Sequence, residues 1–173
     1  MITVVEPAIC MPSSWKGPGE EIDGVKIVSL HPPLDRNERQ KFWGNDGSLA
    51  LRLSFDEVSF LFCGDVESAA EQEILQTGAN LQSTVLKAPH HGSKSSSTQE
   101  FLERVRPRFA VFTVRPGTRT RLPHPTVLER YENLGVKTYR SDRDGAITFF
   151  TDGKELRVQT FLGKDGMRIA EHQ

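Results

Sequence analysis

Apolar and polar positions along the chain fall into short runs rich in β-branched and aromatic residues. These runs predict strands near 2–5, 25–30, 48–55, 57–63, 83–88, 108–114, 137–140, 145–151 and 154–161. Three stretches change to helical spacing: 66–76 ("VESAAEQEILQ"), 97–105 ("STQEFLERV") and 125–134 ("PTVLERYENL"). The second opens on a Ser97/Glu100 capping box, and the third has Pro125 in its first turn and Gly135 after its last. The tight connections "FDEV" (55–58) and "TDGK" (151–154) predict hairpins joining 48–55 to 57–63 and 145–151 to 154–161. Antiparallel sheet is therefore expected first and β-α-β alternation after it. Between them "PPLDRNERQKFWGNDG" (32–47) is too long for a simple connection and marks a functional edge or a missing neighbour. Residues 163–173 ("GKDGMRIAEHQ") have no period and read as a flexible tail.

A chain of 173 residues with 36% hydrophobic content is long enough for one domain with a real core. No apolar run approaches the roughly 20 residues that a membrane helix needs. The start, "MITVVEPAICMPSSWKG", lacks the basic and apolar regions of a signal peptide, so the expectation is a soluble domain without an export address. Cys10 and Cys63 are far apart, and Cys63 ends the apolar run "VSFLFC", which predicts a buried thiol and no disulfide. The net charge of −1 conceals an asymmetry. Lys87 to Arg121 holds eight Lys/Arg against two Asp/Glu, a net of +6, leaving −7 for the rest. An anion-binding surface is expected in that window, contiguous over Lys94, Arg104, Arg106, Arg108, Arg115, Arg119 and Arg121 and suited to single-stranded DNA.

Two segments carry candidate chemistry. Gly64 and Asp65 follow directly on a buried strand with a helix behind them. Asp65 can therefore cap that helix, serve as a metal ligand, or both. His90 and His91 end the next strand, followed by Gly92, Ser93 and Lys94. On an extended chain the two imidazoles point opposite ways, so one can ligate a metal while its neighbour meets a substrate oxygen or supports the site. His124 reads as local structure before a helix, and His31 stands alone in "LHPP".

The ordered combination of "FLFCGD", "LKAPHHGSKSSS", "HPTVLERYENLG" and "YRSDRDGAITF" resembles the C-terminal part of the metallo-β-lactamase-fold domain of ComEC/Rec2-type DNA-internalisation competence proteins, over about residues 24–161. The resemblance implies an α/β (α+β) architecture: half of an αββα sandwich, a mixed sheet with helices on one side. It also implies a dinuclear zinc or manganese site that activates water against phosphodiesters. By position Asp65 matches the bridging carboxylate and His91 the late histidine ligand, with His90 as neighbour or, in the reverse assignment, as the ligand. Asn45, Asp46 and Ser48 match a segment lying near the site, and Ser93 and Lys94 would contact the phosphate with His90. The family's His-x-Asp/His-x-Asp-His motif is absent from the 173 residues, and Leu122 stands where relatives carry a histidine.

The reading is a single domain, the second half of such a hydrolase, with metal binding weak or absent and activity not expected of the isolated chain. The alternatives are a non-catalytic module that holds nucleic acid or a partner, and a fragment of a longer competence protein attached to the bacterial cell membrane. Half a sandwich leaves one sheet face uncovered, around Leu49, Leu51, Leu53, Phe60 and Phe62. Association with a missing N-terminal half or with a second copy is therefore expected.

Overall fold

Strands of alternating pattern bury one set of side chains on each face, and here both sets are apolar. In the computed structural model, which describes residues 19–33, 43–117, 121–162 and, by backbone alone, 168–170, seven strands form one sheet in sequence order. They are β1 (Glu20–Ile22), β2 (Val25–His31), β3 (Ala50–Phe55), β4 (Val58–Phe62), β5 (Val85–Lys87), β6 (Phe109–Phe112) and β7 (Lys137–Arg140). Pairing is antiparallel from β1 through β4 and parallel from β4 through β7. This is the expected order, a mixed sheet of the α/β class. The run at 2–5, Cys10 and Arg119 lie outside the described residues.

Three helices cross between the parallel strands: α1 (Ser68–Gln76), α2 (Gln99–Val105) and α3 (Pro125–Asn133). They share one face, where Leu61, Cys63, Leu86, Ala88, Ala110 and Phe112 from the strands meet Ala70, Ile74, Phe101, Leu102, Val105, Val127 and Tyr131 from the helices. The intervening strand residues Val58, Phe60, Val85, Phe109, Val111 and Tyr139 point the other way.

That second face is covered by the chain itself, which corrects the expectation of an exposed apolar sheet. After β7 a short helix, α4 (Ser141–Asp144), turns the chain into a three-stranded antiparallel sheet of β8 (Ile147–Thr151), β9 (Leu156–Thr160) and β10 (Arg168–Ala170). Ile147, Phe149, Leu156 and Val158 pack on the strand face. Phe149 alone touches three rings, Phe60, Phe109 and Tyr139, each at 6.1 Å between centroids. Phe60 and Leu51 are buried, whereas Leu49, Leu53 and Phe62 are only half-buried. β10 falls inside the stretch read as a tail and pairs with β9. The layers are helices, seven-stranded sheet and three-stranded sheet, an arrangement consistent with half of an αββα sandwich.

Candidate functional site

Because β4, β5 and β6 run parallel, the segments that follow them leave the sheet at one rim, the edge where open α/β sheets bind ligands. Asp65 comes from the first exit, His90 and His91 from the second, and Thr113 from the third. Two glycines make the close approach possible. A Cβ on Gly64 would stand 2.9 Å from Ser48 Cβ, and one on Gly92 would stand 2.7 Å from both Phe112 and Pro123. The motifs are then tied together by backbone: His90 N–H donates to Gly64 O at 3.1 Å, and His124 N–H donates to Gly92 O at 2.8 Å.

The histidine pair is not extended. His90 (φ 44°, ψ 44°) and His91 (φ 54°, ψ 20°) both occupy the left-handed region within a 3₁₀ turn over Pro89–Gly92. Each such non-glycine residue costs on the order of 1–3 kcal/mol and persists only where its surroundings hold it. The turn therefore does not send the two rings to opposite faces. Their centroids are 6.4 Å apart, both at the rim, which corrects the expectation drawn from strand geometry.

Each ring has its own supports. His91 Nδ1 lies 2.8 Å from Thr113 Oγ1, and its Nε2 lies 3.4 Å from Asp65 Oδ1. His90 Nδ1 is hydrogen-bonded to Glu67 Oε1 at 3.0 Å. The same oxygen accepts from Ser95 Oγ at 2.8 Å and from Asn45 Nδ2 at 3.3 Å. The Ser95 hydroxyl is the main influence that holds the Glu67 carboxyl below its usual range, with Asn45 and His90 adding to it and partial desolvation opposing. Ser93 Oγ reaches Ser95 Oγ at 2.9 Å, and Lys94 beside it is exposed. Of the sequence candidates, Asn45, Asp65, His90, His91 and Ser93 thus come together, Lys94 projects from the same loop, and Ser48 packs against Gly64.

Asp65 is not the cap of α1. The first-turn amides are served from another segment: Asp46 Oδ1 accepts from Glu67 N–H at 2.8 Å and from Ala70 N–H at 3.3 Å. Asp46 is in turn held by His31, buried at the end of β2, whose Nε2 donates to Asp46 O at 2.6 Å. Burial pushes the His31 imidazole below its ordinary value, partly offset by that hydrogen bond and by nearby carboxylates. The α2 cap also moves by one residue. Thr98 Oγ1 accepts from Phe101 N–H at 3.4 Å, while Ser97 is taken up elsewhere, its hydroxyl 3.0 Å from Tyr131 Oη and its N–H donating to Glu71. His124 is local structure, its Nδ1 accepting from Thr126 N–H at 3.3 Å to cap α3.

Glu71, Glu67, Ser95 and Thr113 were not singled out from sequence. Glu71 is fully buried and takes Ser97 N–H at 2.6 Å on one oxygen and Thr98 N–H at 2.8 Å on the other, closing the far end of the histidine loop. Arg130 grips the same corner through Ser96 O and Ser97 O. Burial raises the Glu71 carboxyl despite these donors. One signal was available: Glu71 falls on the helix face defined by Ala70 and Ile74, where a charged residue needs a partner. The "RSDRDG" segment lies outside the rim but braces it, since Ser141 Oγ donates to Val114 O and accepts from Val114 N–H, both at 2.7 Å, beside Thr113.

The basic window does not line one rim. Lys94, Arg115 and Arg121 leave near the carboxyl ends of β5 and β6. Arg104, Arg106 and Arg108 lie where α2 returns to the amino end of β6, at the opposite edge. Among the described residues no three His, Cys, Asp or Glu side chains gather as a metal-holding group, and no helix is long and apolar enough to cross a membrane.

No protein-family model matches the chain. It is 35% identical over 130 residues to competence protein ComA of Neisseria gonorrhoeae, a stretch covering 73% of this chain and 18% of that protein. It is 32% identical over 105 residues to ComE operon protein 3 of Bacillus subtilis, covering 61% of this chain and 14% of the relative. With recombination protein 2 of Haemophilus influenzae the identity is 29% over 134 residues, 76% of this chain and 16% of the relative. The chain spans less than a fifth of the length of these curated relatives. Its rim of "GD" and "PHHGS" thus stands in a distant, partial homologue of competence proteins of the ComEC/Rec2 type.

Proposed function

We propose that the rim holds a divalent metal ion, zinc or manganese, between Asp65 and His91 and serves hydrolysis of nucleic-acid phosphodiesters as part of a larger competence protein. The observation that carries this is the 3.4 Å between Asp65 Oδ1 and His91 Nε2. It is long for a hydrogen bond. Two ligands bonded at about 2.0–2.1 Å to a tetrahedral zinc lie roughly 3.3–3.4 Å apart, so the pair fits one edge of such a site. The Thr113 hydroxyl can accept from His91 Nδ1–H as readily as donate to Nδ1. In the first arrangement Nε2 turns its lone pair toward the carboxylate, leaving two acceptors that favour a cation between them.

A bound metal would supply Lewis-acid polarisation and a more acidic water. The protein's own groups supply the rest: the Lys94 ammonium draws a phosphate to the loop, and Ser93 Oγ–H, turning from Ser95 Oγ, donates to one of its oxygens. Two protein ligands make a weak site, and further ligands would come from elsewhere in a longer protein or from a partner. The homology to competence proteins supports the setting.

Calorimetric titration of zinc and of manganese tests the pair. Asp65→Ala and His91→Ala should each abolish the binding shown by the unaltered chain, while His124→Ala should leave it intact. If Asp65→Ala binds as the unaltered chain does, the metal reading fails. A second reading, a non-catalytic module for single-stranded DNA or a protein partner, is favoured by the lack of a third ligand among the described residues. It requires metal-independent DNA binding that weakens steeply with salt.

A further inference from the structure

Glu67 joins three segments of the rim through one oxygen. Its backbone is fixed on both sides, with its own N–H on Asp46 Oδ1 at 2.8 Å and the next amide, Ser68 N–H, on Ser95 O at 2.8 Å. The side chain reaches over the histidine loop, where Oε1 meets His90 Nδ1, Ser95 Oγ and Asn45 Nδ2. An ionised carboxylate can only accept, so the proton of this contact sits on His90 Nδ1. Among the described residues Nε2 of the same ring has no partner, and a neutral ring protonated at Nδ1 presents a lone pair there. His91 differs: its Nδ1 faces a hydroxyl, which can donate or accept and so does not dictate the tautomer.

We propose that Glu67 is a positioning residue: it fixes the His90 imidazole as the Nδ1–H tautomer and turns Nε2 outward as an acceptor for an O–H group at the rim, either a water or a nucleotide hydroxyl. In this arrangement His90 does not donate to a phosphate oxygen, and that contact is left to Ser93 and Lys94. The kinetic role rests on the hydrolytic reading of the rim given above, whereas the tautomer does not.

Nitrogen-15 chemical shifts of the histidine rings in the full chain test the tautomer directly, with His90→Gln identifying the His90 signals. In the unaltered chain His90 Nδ1 should be pyrrole-like and Nε2 pyridine-like. In Glu67→Ala the two should exchange, and in Glu67→Gln, whose amide oxygen can still accept, the original pattern should persist in part. A pyrrole-like Nε2 in the unaltered chain, or an unchanged pattern in Glu67→Ala, overturns the proposal whether or not the chain is a hydrolase.

Turnover of the p-nitrophenyl esters of a ribonucleotide and a deoxyribonucleotide, with manganese, then separates the sources of the O–H group. A fall in kcat of about 10- to 100-fold on both esters in Glu67→Ala identifies water. A rise in KM confined to the ribonucleotide identifies the sugar hydroxyl. Unchanged kinetics in that variant would overturn the positioning role. The rim with two protein ligands is not expected to turn over by itself, so the kinetic comparison belongs to a longer protein that supplies the further ligands. No turnover there would sink the hydrolytic reading, while the tautomer stands or falls on the shifts.

Discussion

The two faces of the seven-stranded sheet are built from different chemistry. Against β8 and β9 the contact is a cluster of rings, Phe60, Phe109, Tyr139 and Phe149, with aliphatic side chains around them. Against the helices the core is equally apolar at its centre, but its upper edge is threaded with buried polar groups: Glu71, Ser96, Ser97 and the Tyr131 hydroxyl. The aromatic face is interchangeable in principle, because apolar packing has no direction. The helical face is specific, because every buried donor and acceptor in it needs a partner in one place. The site grows from the specific face, and the aromatic face supplies the stability that a strained turn draws upon.

The largest effect is expected from the aromatic face. Phe149→Ala removes the ring on which three others converge and should cost about 3–5 kcal/mol in urea unfolding. In the fraction that remains folded, the metal affinity of the rim should not change. A loss of affinity that outruns the loss of folded protein would erase the distinction between the faces.

Glu71→Gln should cost about 1–3 kcal/mol, since an amide can accept on one side only and sets its NH₂ against the other backbone N–H. Here the site should suffer with the fold, seen as broadened His90 and His91 resonances. The substitution also has a pH signature. With its folded value raised above the usual 4.5 by burial, Glu71 binds protons more readily in the folded chain than in the unfolded one. Its contribution is most favourable below that usual value and declines as pH climbs through the raised one. Comparing urea midpoints of the two proteins from acid to neutral pH should show that downward component in the unaltered chain and not in Glu71→Gln. Equal pH profiles would remove the buried carboxylate from the account.

A smaller loss, about 0.5–2 kcal/mol, is expected for Asp46→Ala, which deprives α1 of its cap. Because the cap comes from another segment, hydrogen exchange should speed up both at Glu67 and Ala70 and in the turn around Gly44–Gly47. Faster exchange confined to the helix would mean that the turn is held without it.

Much of the fold was legible because period and punctuation are local. Runs near 25–30, 57–63 and 137–140 became β2, β4 and β7, and Pro125 and Gly135 bracket α3 as their backbone preferences require. The meeting of Asp65 with His91 was legible through the resemblance, which matches both to one metal site, and the parallel strands β4 and β5 deliver them to one rim. Other features depend on partners far along the chain. Asp46 caps a helix that starts more than twenty residues later. Ser97 yields the α2 cap to Thr98 because Glu71 and Tyr131 claim it first. The left-handed turn at His90 has no cause within its own sequence apart from Gly92. The β8–β9 hairpin of the second sheet was read correctly and β10 was read as tail, but nothing local said which surface the sheet would cover.

The turn over Pro89–Gly92 also orders events in time. Its two backbone anchors are Gly64, already behind it when it is synthesised, and His124, still to come. With only the first anchor in place, the left-handed cost on both histidines is offset by fewer contacts, those that Glu67, Ser68 and Glu71 make to the same loop. The last backbone tie on the rim therefore comes only with the start of α3.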